Sequence, residues 1–197
     1  EKIEHLVIDT IVLEKLMHDI KQAKRPLILA GRGIKASQCQ KQFDHFVKQT
    51  KVPVITTLLG LDTISFDHSQ RVGFIGSYGN RWANMAFGNC DLLIVLGSRL
   101  DIRQTGADTK FIENRRIYHI DCKKAEINNR VNGCEAIVAD LGLFFSKFQE
   151  YTANFSFDLP HQWINYINDL RETWPDTNEL NPKGINPNVF MHSLSSQ

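Results

Sequence analysis

The sequence predicts an α/β fold, a doubly wound parallel sheet with helices packed on it. Three observations carry that expectation. The run Leu92-Leu93-Ile94-Val95-Leu96, closed by Gly97, is continuously apolar, as a parallel strand buried on both faces must be. Four further short runs, at 27–30, 52–57, 116–121 and 135–139, alternate with stretches of helical spacing. Polar side chains crowd just beyond several run ends, where open α/β sheets hold their ligands.

Taken in order, residues 1–11 read as incoming linker, with helical spacing beginning at Thr10 and placing Leu13, Leu16, Met17 and Ile20 on one face. This helix stops before Arg25-Pro26, because proline lacks the N–H and disfavours helix in the residue before it. The strand at 27–30 runs into Gly31-Arg32-Gly33, and a helix is expected after Ala36-Ser37 with Cys39, Phe43, Phe46 and Val47 inward. Strand, Gly-x-Gly, helix can bring backbone N–H groups to a phosphate, with Ala36 as third small residue; it is equally a tight turn. The strand at 52–57 tolerates Pro53 at its start and delivers Thr56, Thr57 and Leu58 to its carboxyl end. Ordinary β-propensity explains the threonines as well as a site does. Residues 60–70 read as loop.

Gly73 to Gly79 holds three glycines in seven residues, so the backbone there approaches another strand or a ligand closely. Asn80 is placed to cap a helix whose Trp82, Met85, Ala86 and Phe87 form an apolar face that reads as core. Beyond Gly97 come Ser98, Arg99, Asp101, Arg103, Gln104 and Thr105. Residues 109–114 bridge to the strand RIYHID, whose last residue, Asp121, can accept hydrogen bonds from a ribose or an adenine amine. A helix is expected from Lys123 to about Asn132-Gly133, and Asp140 caps another that carries Leu141, Phe144, Phe145 and Phe148. Past residue 151, Pro160, Pro175, Pro182 and Pro187 punctuate polar text around one helix at 161–173, expected to dock loosely or extend away.

Lys+Arg of 23 against Asp+Glu of 22 argues against nucleic acid or an anionic membrane as a general partner. No run approaches the ~18 apolar residues of a membrane span, and cytoplasm is the expected location. Cys39, Cys90, Cys122 and Cys134 are scattered without a C-x-x-C pair and read as reduced, mostly buried thiols, not as a metal site. Beginning at Glu1 and ending inside a helical pattern, the sequence reads as a piece of a longer chain.

The series G-S-R-L-D-I-R-Q-T-G (97–106), then H-I-D (119–121) and A-E-I-N (125–128), resembles the central domain of thiamine-diphosphate-dependent enzymes, in particular the acetolactate synthase (acetohydroxyacid synthase) group. That family usually reads G-A-R-F-D-D-R-x-T-G, so Arg99, Asp101, Arg103, Thr105 and Gly106 match, while Ile102 replaces its second aspartate. Tyr78 stands where the family's G-x-x-G-x-H-G segment has histidine, and Ala139 precedes Asp140 where Gly-Asp is usual. The closing stretch, 185–197, resembles the start of the family's third domain.

The resemblance implies a Rossmann-like (DHS-like) nucleotide-binding central domain over 12–150, with 151–197 as linker towards a thiamine-diphosphate-binding domain. It implies FAD, another adenine nucleotide or no ligand there. The site would comprise Gly31, Arg32, Gly33, Thr57, Leu58, Gly76, Ser77, Tyr78, Gly97, Ser98, Arg99, Asp101, Arg103, Asp121 and Asp140, with backbone N–H groups of the glycine segments reaching the ligand. Arg99 and Arg103 would face the diphosphate or isoalloxazine, and Asp121 the adenosine end. Thiamine diphosphate and Mg2+ would belong to first and third domains of the same chain, in a homodimer or homotetramer. The whole enzyme would decarboxylate a 2-keto acid such as pyruvate and join the product to a second carbonyl. This stretch would supply no catalytic residue and be inert alone.

Two other readings stay open. NAD-dependent protein deacylases have a related sheet, but their long Gly-Ala-Gly loop and paired C-x-x-C zinc ligands are missing here. A ligand-free structural or interaction domain would leave Arg99 and Arg103 as surface ion pairs.

Overall fold

The computed structural model describes residues 8–107, 114–153, 155–158, 161–177 and 183–196. Helix α1 (Thr10–Gln22) starts where the Asp9 carboxylate accepts the Ile11 N–H at 2.9 Å. Strand β1 (Pro26–Ala30) follows at once. The helix expected after Ala36 is broken in two: a single turn, α2 (Gly33–Ala36), and then α3 (Gln40–Thr50). Gln38 between them takes φ of 53°, which no right-handed helix accommodates.

Strand β2 (Val54–Thr56) is shorter than the expected 52–57 and leads into a 3-10 turn at Leu58–Gly60. Next come β3 (Arg71–Phe74), α4 (Arg81–Asn89), β4 (Leu92–Leu96), the single turn α5 (Ile102–Thr105) and β5 (Arg116–Asp121). The expected bridge lies, but for Asn114, outside the described residues. After β5 only a 3-10 turn, Lys124–Glu126, stands where a helix was expected. Asn128 takes φ of 57°, and its side chain accepts the Cys134 N–H at 2.7 Å while donating to the Cys134 carbonyl at 3.1 Å. A local side-chain clamp of this kind replaces helical hydrogen bonding. Strand β6 (Glu135–Val138) and helices α6 (Leu141–Thr152), α7 (His161–Thr173) and α8 (Pro187–Ser195) complete the chain.

The sheet has six strands, not five, in the order β3-β2-β1-β4-β5-β6, and every neighbouring pair is parallel. The strand missing from the sequence reading is β3, four residues that hold one arginine and one glycine and so show no apolar run. Strand order reverses between β1 and β4, which are buried at every position. Alternation along them feeds two cores. Ile28, Ala30, Ile94 and Leu96 face α1, α3 and α6, where Phe43, Phe46, Phe144, Phe145 and Phe148 pack ring on ring. Leu27, Leu29, Leu93 and Val95 face α4 and α7.

Helix α7 corrects the expectation of loose docking. Trp163, Ile167 and Leu170 are buried in the second core, and the Trp163 indole donates to the Pro26 carbonyl at 3.0 Å. Its amphipathic pattern is visible in the sequence, but the surface it covers, strand β1, lies more than a hundred residues earlier.

Candidate functional site

The registers Ala30↔Thr56↔Phe74 and Ala30↔Leu96↔Ile120 bring the carboxyl ends of β1 to β5 level with one another. The loops leaving them therefore share one edge, centred on the reversal of strand order, where such sheets place nucleotides.

The glycine segments are packed there backbone to backbone. The Gly31 N–H donates to the Leu96 carbonyl at 2.9 Å, and the Gly33 N–H to the Gly97 carbonyl at 3.0 Å. A Cβ on Gly31 would stand 2.2 Å from the Gly97 oxygen, and one on Gly97 would stand 2.6 Å from the Gly33 Cα. Gly60 lies against the Ala30 carbonyl and Gly76 against that of Arg103, and the Thr57 N–H binds the Ala30 carbonyl at 3.0 Å. The Gly76 N–H is taken by Asn84 at 3.0 Å, the Gly79 N–H by the Gly76 carbonyl at 2.9 Å. The N–H groups of Gly31, Gly33, Gly76 and Gly79, expected to reach a ligand, each meet a protein acceptor here. Their donors hold the loops together, and the smallness of the residues is what permits the approach. Asn80, expected as a plain cap, instead accepts the Phe74 N–H at 2.9 Å and ties β3 to α4.

The loop after β4 behaves differently. Leu100 is buried in the second core yet holds φ of 51°, a conformation a bulky residue adopts only under constraint. That anchor turns its two neighbours outward. The side chain of Arg99 is 68% exposed, with Nε 3.3 Å from Glu126 Oε1. That of Arg103 is 82% exposed, with Nη2 donating to Asp101 Oδ2 at 3.2 Å. Asp101 also caps α5, accepting the Arg103 N–H at 2.9 Å.

Ser98 is buried and donates to Gln104 Oε1 at 3.0 Å. Its carbonyl lies 2.7 Å from His119 Nε2. His119 is 1% exposed, and burial holds its imidazole below the ordinary value. The neutral ring therefore donates from Nε2, leaving Nδ1 buried and without a hydrogen-bond partner.

The other expected residues divide in two groups. Arg32, Ser77, Tyr78 and Leu58 are exposed at this edge, and Thr57 is buried beneath it. Asp121 accepts the Lys123 N–H at 2.9 Å, and Asp140 caps α6 by accepting the Gly142 N–H at 2.8 Å. Both acids thus have local structural partners. Three residues at the edge escaped the sequence reading. Glu126, within the A-E-I-N match, pairs Arg99; His119 and Leu100 hold the arginine loop from below. Thr56, whose buried hydroxyl has no partner, sits at the end of β2.

The six-stranded parallel sheet, with helices packed on it and a charged loop at the reversal of strand order, defines a doubly wound α/β domain. The family described as thiamine pyrophosphate enzyme, central domain, matches residues 13–148, and the chain belongs to it. It is similar to the acetolactate synthase large subunit of Lactococcus lactis subsp. lactis (strain IL1403), 33% identical over 176 residues, which cover 89% of this chain and 30% of that protein. It is 33% identical over 191 residues to the probable acetolactate synthase large subunit of Methanococcus aeolicus, with 92% and 32% covered. The large subunit of Cyanidium caldarium is 28% identical over 187 residues, with 93% and 32% covered. The chain spans about a third of the length of these relatives. Among the described residues no helix is long and apolar enough to cross a membrane, and no three His, Cys, Asp or Glu side chains group as metal ligands.

Proposed function

We propose that this chain is the ligand-holding central domain of a thiamine-diphosphate-dependent enzyme of acetolactate synthase type, and that its ligand is FAD. One observation carries the reading: Arg99 and Arg103 stand exposed on a single strained loop, beside exposed apolar side chains at the same sheet edge. The chemistry of this set suits a flavin dinucleotide. Guanidinium forks match diphosphate oxygens bidentately. Leu58, Tyr78 and Ile102, all more than half exposed, offer apolar surface to a flat ring system. Ile102, standing where the family usually has an acid, adds to that surface. Asp121 is the acceptor for ribose or an adenine amine.

Thiamine diphosphate with Mg2+, bound by domains outside this stretch in a homo-oligomer, would supply the electron sink for decarboxylating a 2-keto acid. The part of residues 12–150, with α7 packed on them, is to bind and orient; the residues after α7 lead towards the thiamine-diphosphate domain. Arg99, now beside Glu126, would hold the diphosphate. Leu100 and His119 keep that loop in place throughout.

Flavin-fluorescence or calorimetric titration of the intact enzyme tests the assignment. Arg99→Ala should weaken FAD binding roughly tenfold to a hundredfold, and Asp121→Asn less. FAD binding by both variants as tight as the parent's, or a parent that binds no adenine nucleotide, would overturn it. The 197-residue chain given pyruvate, thiamine diphosphate and Mg2+ should form no acetolactate.

A further inference from the structure

We infer that the cleft along the outer edge of β3 is a second binding site, for a small organic anion. Its carboxylate or phosphate meets Arg71 and Arg171, and its apolar body rests on Phe66 and Phe74. The cleft holds about 650 Å³, within the ~300–1,000 Å³ usual for small-molecule sites. One wall is the loop between β2 and β3, with Phe66; the floor is β3 itself; the other wall is the end of α7, with Arg171, the residues just after it, with Asp176, and His192 of α8.

Both guanidiniums are anchored at one side. The Arg71 guanidinium carbon lies 4.8 Å from the Phe66 ring centroid. Arg171 Nη2 donates to the carbonyls of Arg71 and Val72 at 3.0 and 2.9 Å. Among the described residues neither arginine forms an ion pair with a carboxylate. Charged side chains often blunt an open sheet edge, and that accounts for Arg171 on its two carbonyls. It leaves Arg71 unexplained: a half-buried cation with a like charge beside it. Burial and the neighbouring Arg171 both hold the Arg71 guanidinium below its ordinary value.

The other ionisable groups of the cleft do not supply a counter-charge. Asp176 accepts from the Asn80 amide at 3.0 Å, and His68 Nε2 turns to Asp44 at 3.3 Å. Asp67 lines the cleft without pairing to either arginine. An anion bridging the two forks would gain charge-assisted hydrogen bonds and remove the repulsion between them. The site shares no residue with the arginine loop after β4, so it stands whether or not FAD is the ligand there.

The test is titration of the 197-residue chain with benzoate and with phenyl phosphate, followed by amide NMR shifts. Saturable shifts across 66–74 and 171–176 are expected with at least one probe, and the tighter probe identifies the head group. Arg71→Gln keeps the hydrogen bonds of Arg171 to the edge and should weaken that probe about tenfold. Should that variant fail to fold, Arg71→Lys retains the charge but loses the fork, and a weakening of about threefold is expected. Absence of saturable shifts in the cleft with both probes, or unchanged affinity in the folded variant, overturns the site.

Discussion

The loops leaving β1 and β4 flank the same reversal of strand order, yet they are built for opposite ends. The N–H groups of Gly31 and Gly33 turn inward, onto the carbonyls of Leu96 and Gly97. The segment beyond Gly97 turns its charges outward, with Arg99 beside Glu126 and Arg103 beside Asp101 among the described residues. A glycine motif at a strand end is therefore a statement about how closely two loops approach. The arginines on the strained, anchored loop after β4 instead keep their guanidiniums at the surface.

Substitutions should separate the two. The largest effect belongs to Gly31→Ala, whose Cβ would meet backbone that cannot yield. A loss of about 3 kcal/mol in urea unfolding is expected; a loss under ~1 kcal/mol would mean the loops can part, and with it the contrast would weaken. Arg99→Ala should do the reverse, lowering FAD affinity of the intact enzyme as described while shifting stability by less than about 0.5 kcal/mol. A large fall in unfolding stability would make Arg99 a structural residue like the glycines.

Asp140 sharpens the comparison, since it was expected both to cap a helix and to stand at the ligand, and it caps α6. Asp140→Ala should cost about 1 kcal/mol of stability and Asp140→Asn, an equally good cap, much less. If Asn also weakens FAD binding tenfold, the acid serves the ligand too. The smallest effect is on pH dependence. Burial lowers the proton affinity of folded His119 relative to its ordinary 6.5, so below about 6.5 the unfolded chain binds the proton more readily. His119 thus contributes stability that is complete above that pH and declines beneath it. A plot of Tm from pH 7 to 5 should fall less steeply for His119→Gln than for the parent.

How much of this was legible depended on range. Strands β1 and β4 announce themselves, because burial on both faces demands an unbroken apolar run. The arginines and Asp121 could be placed at an edge from their positions just past strand ends. Strand β3 could not be read, since an edge strand of four residues with Arg71 and Gly73 has no such run. His119 was out of reach for another reason: its role depends on the register Val95↔His119, which sets it under the Ser98 carbonyl across the sheet. Leu100 looks like any apolar residue until its positive φ is seen.

The docking of α7 bears on how this domain can be exchanged between proteins. The family match ends at residue 148, and the text of the sequence changes near 151, so either position invites a junction in a chimera. A cut there would strip Trp163, Ile167 and Leu170 from the second core and leave Leu27 and Leu29 facing water. It would also remove Arg171 from the carbonyls of Arg71 and Val72, opening the β3 edge to pairing with a neighbouring molecule. The transplantable unit runs to the end of α7, some twenty-five residues beyond the boundary that similarity alone would draw.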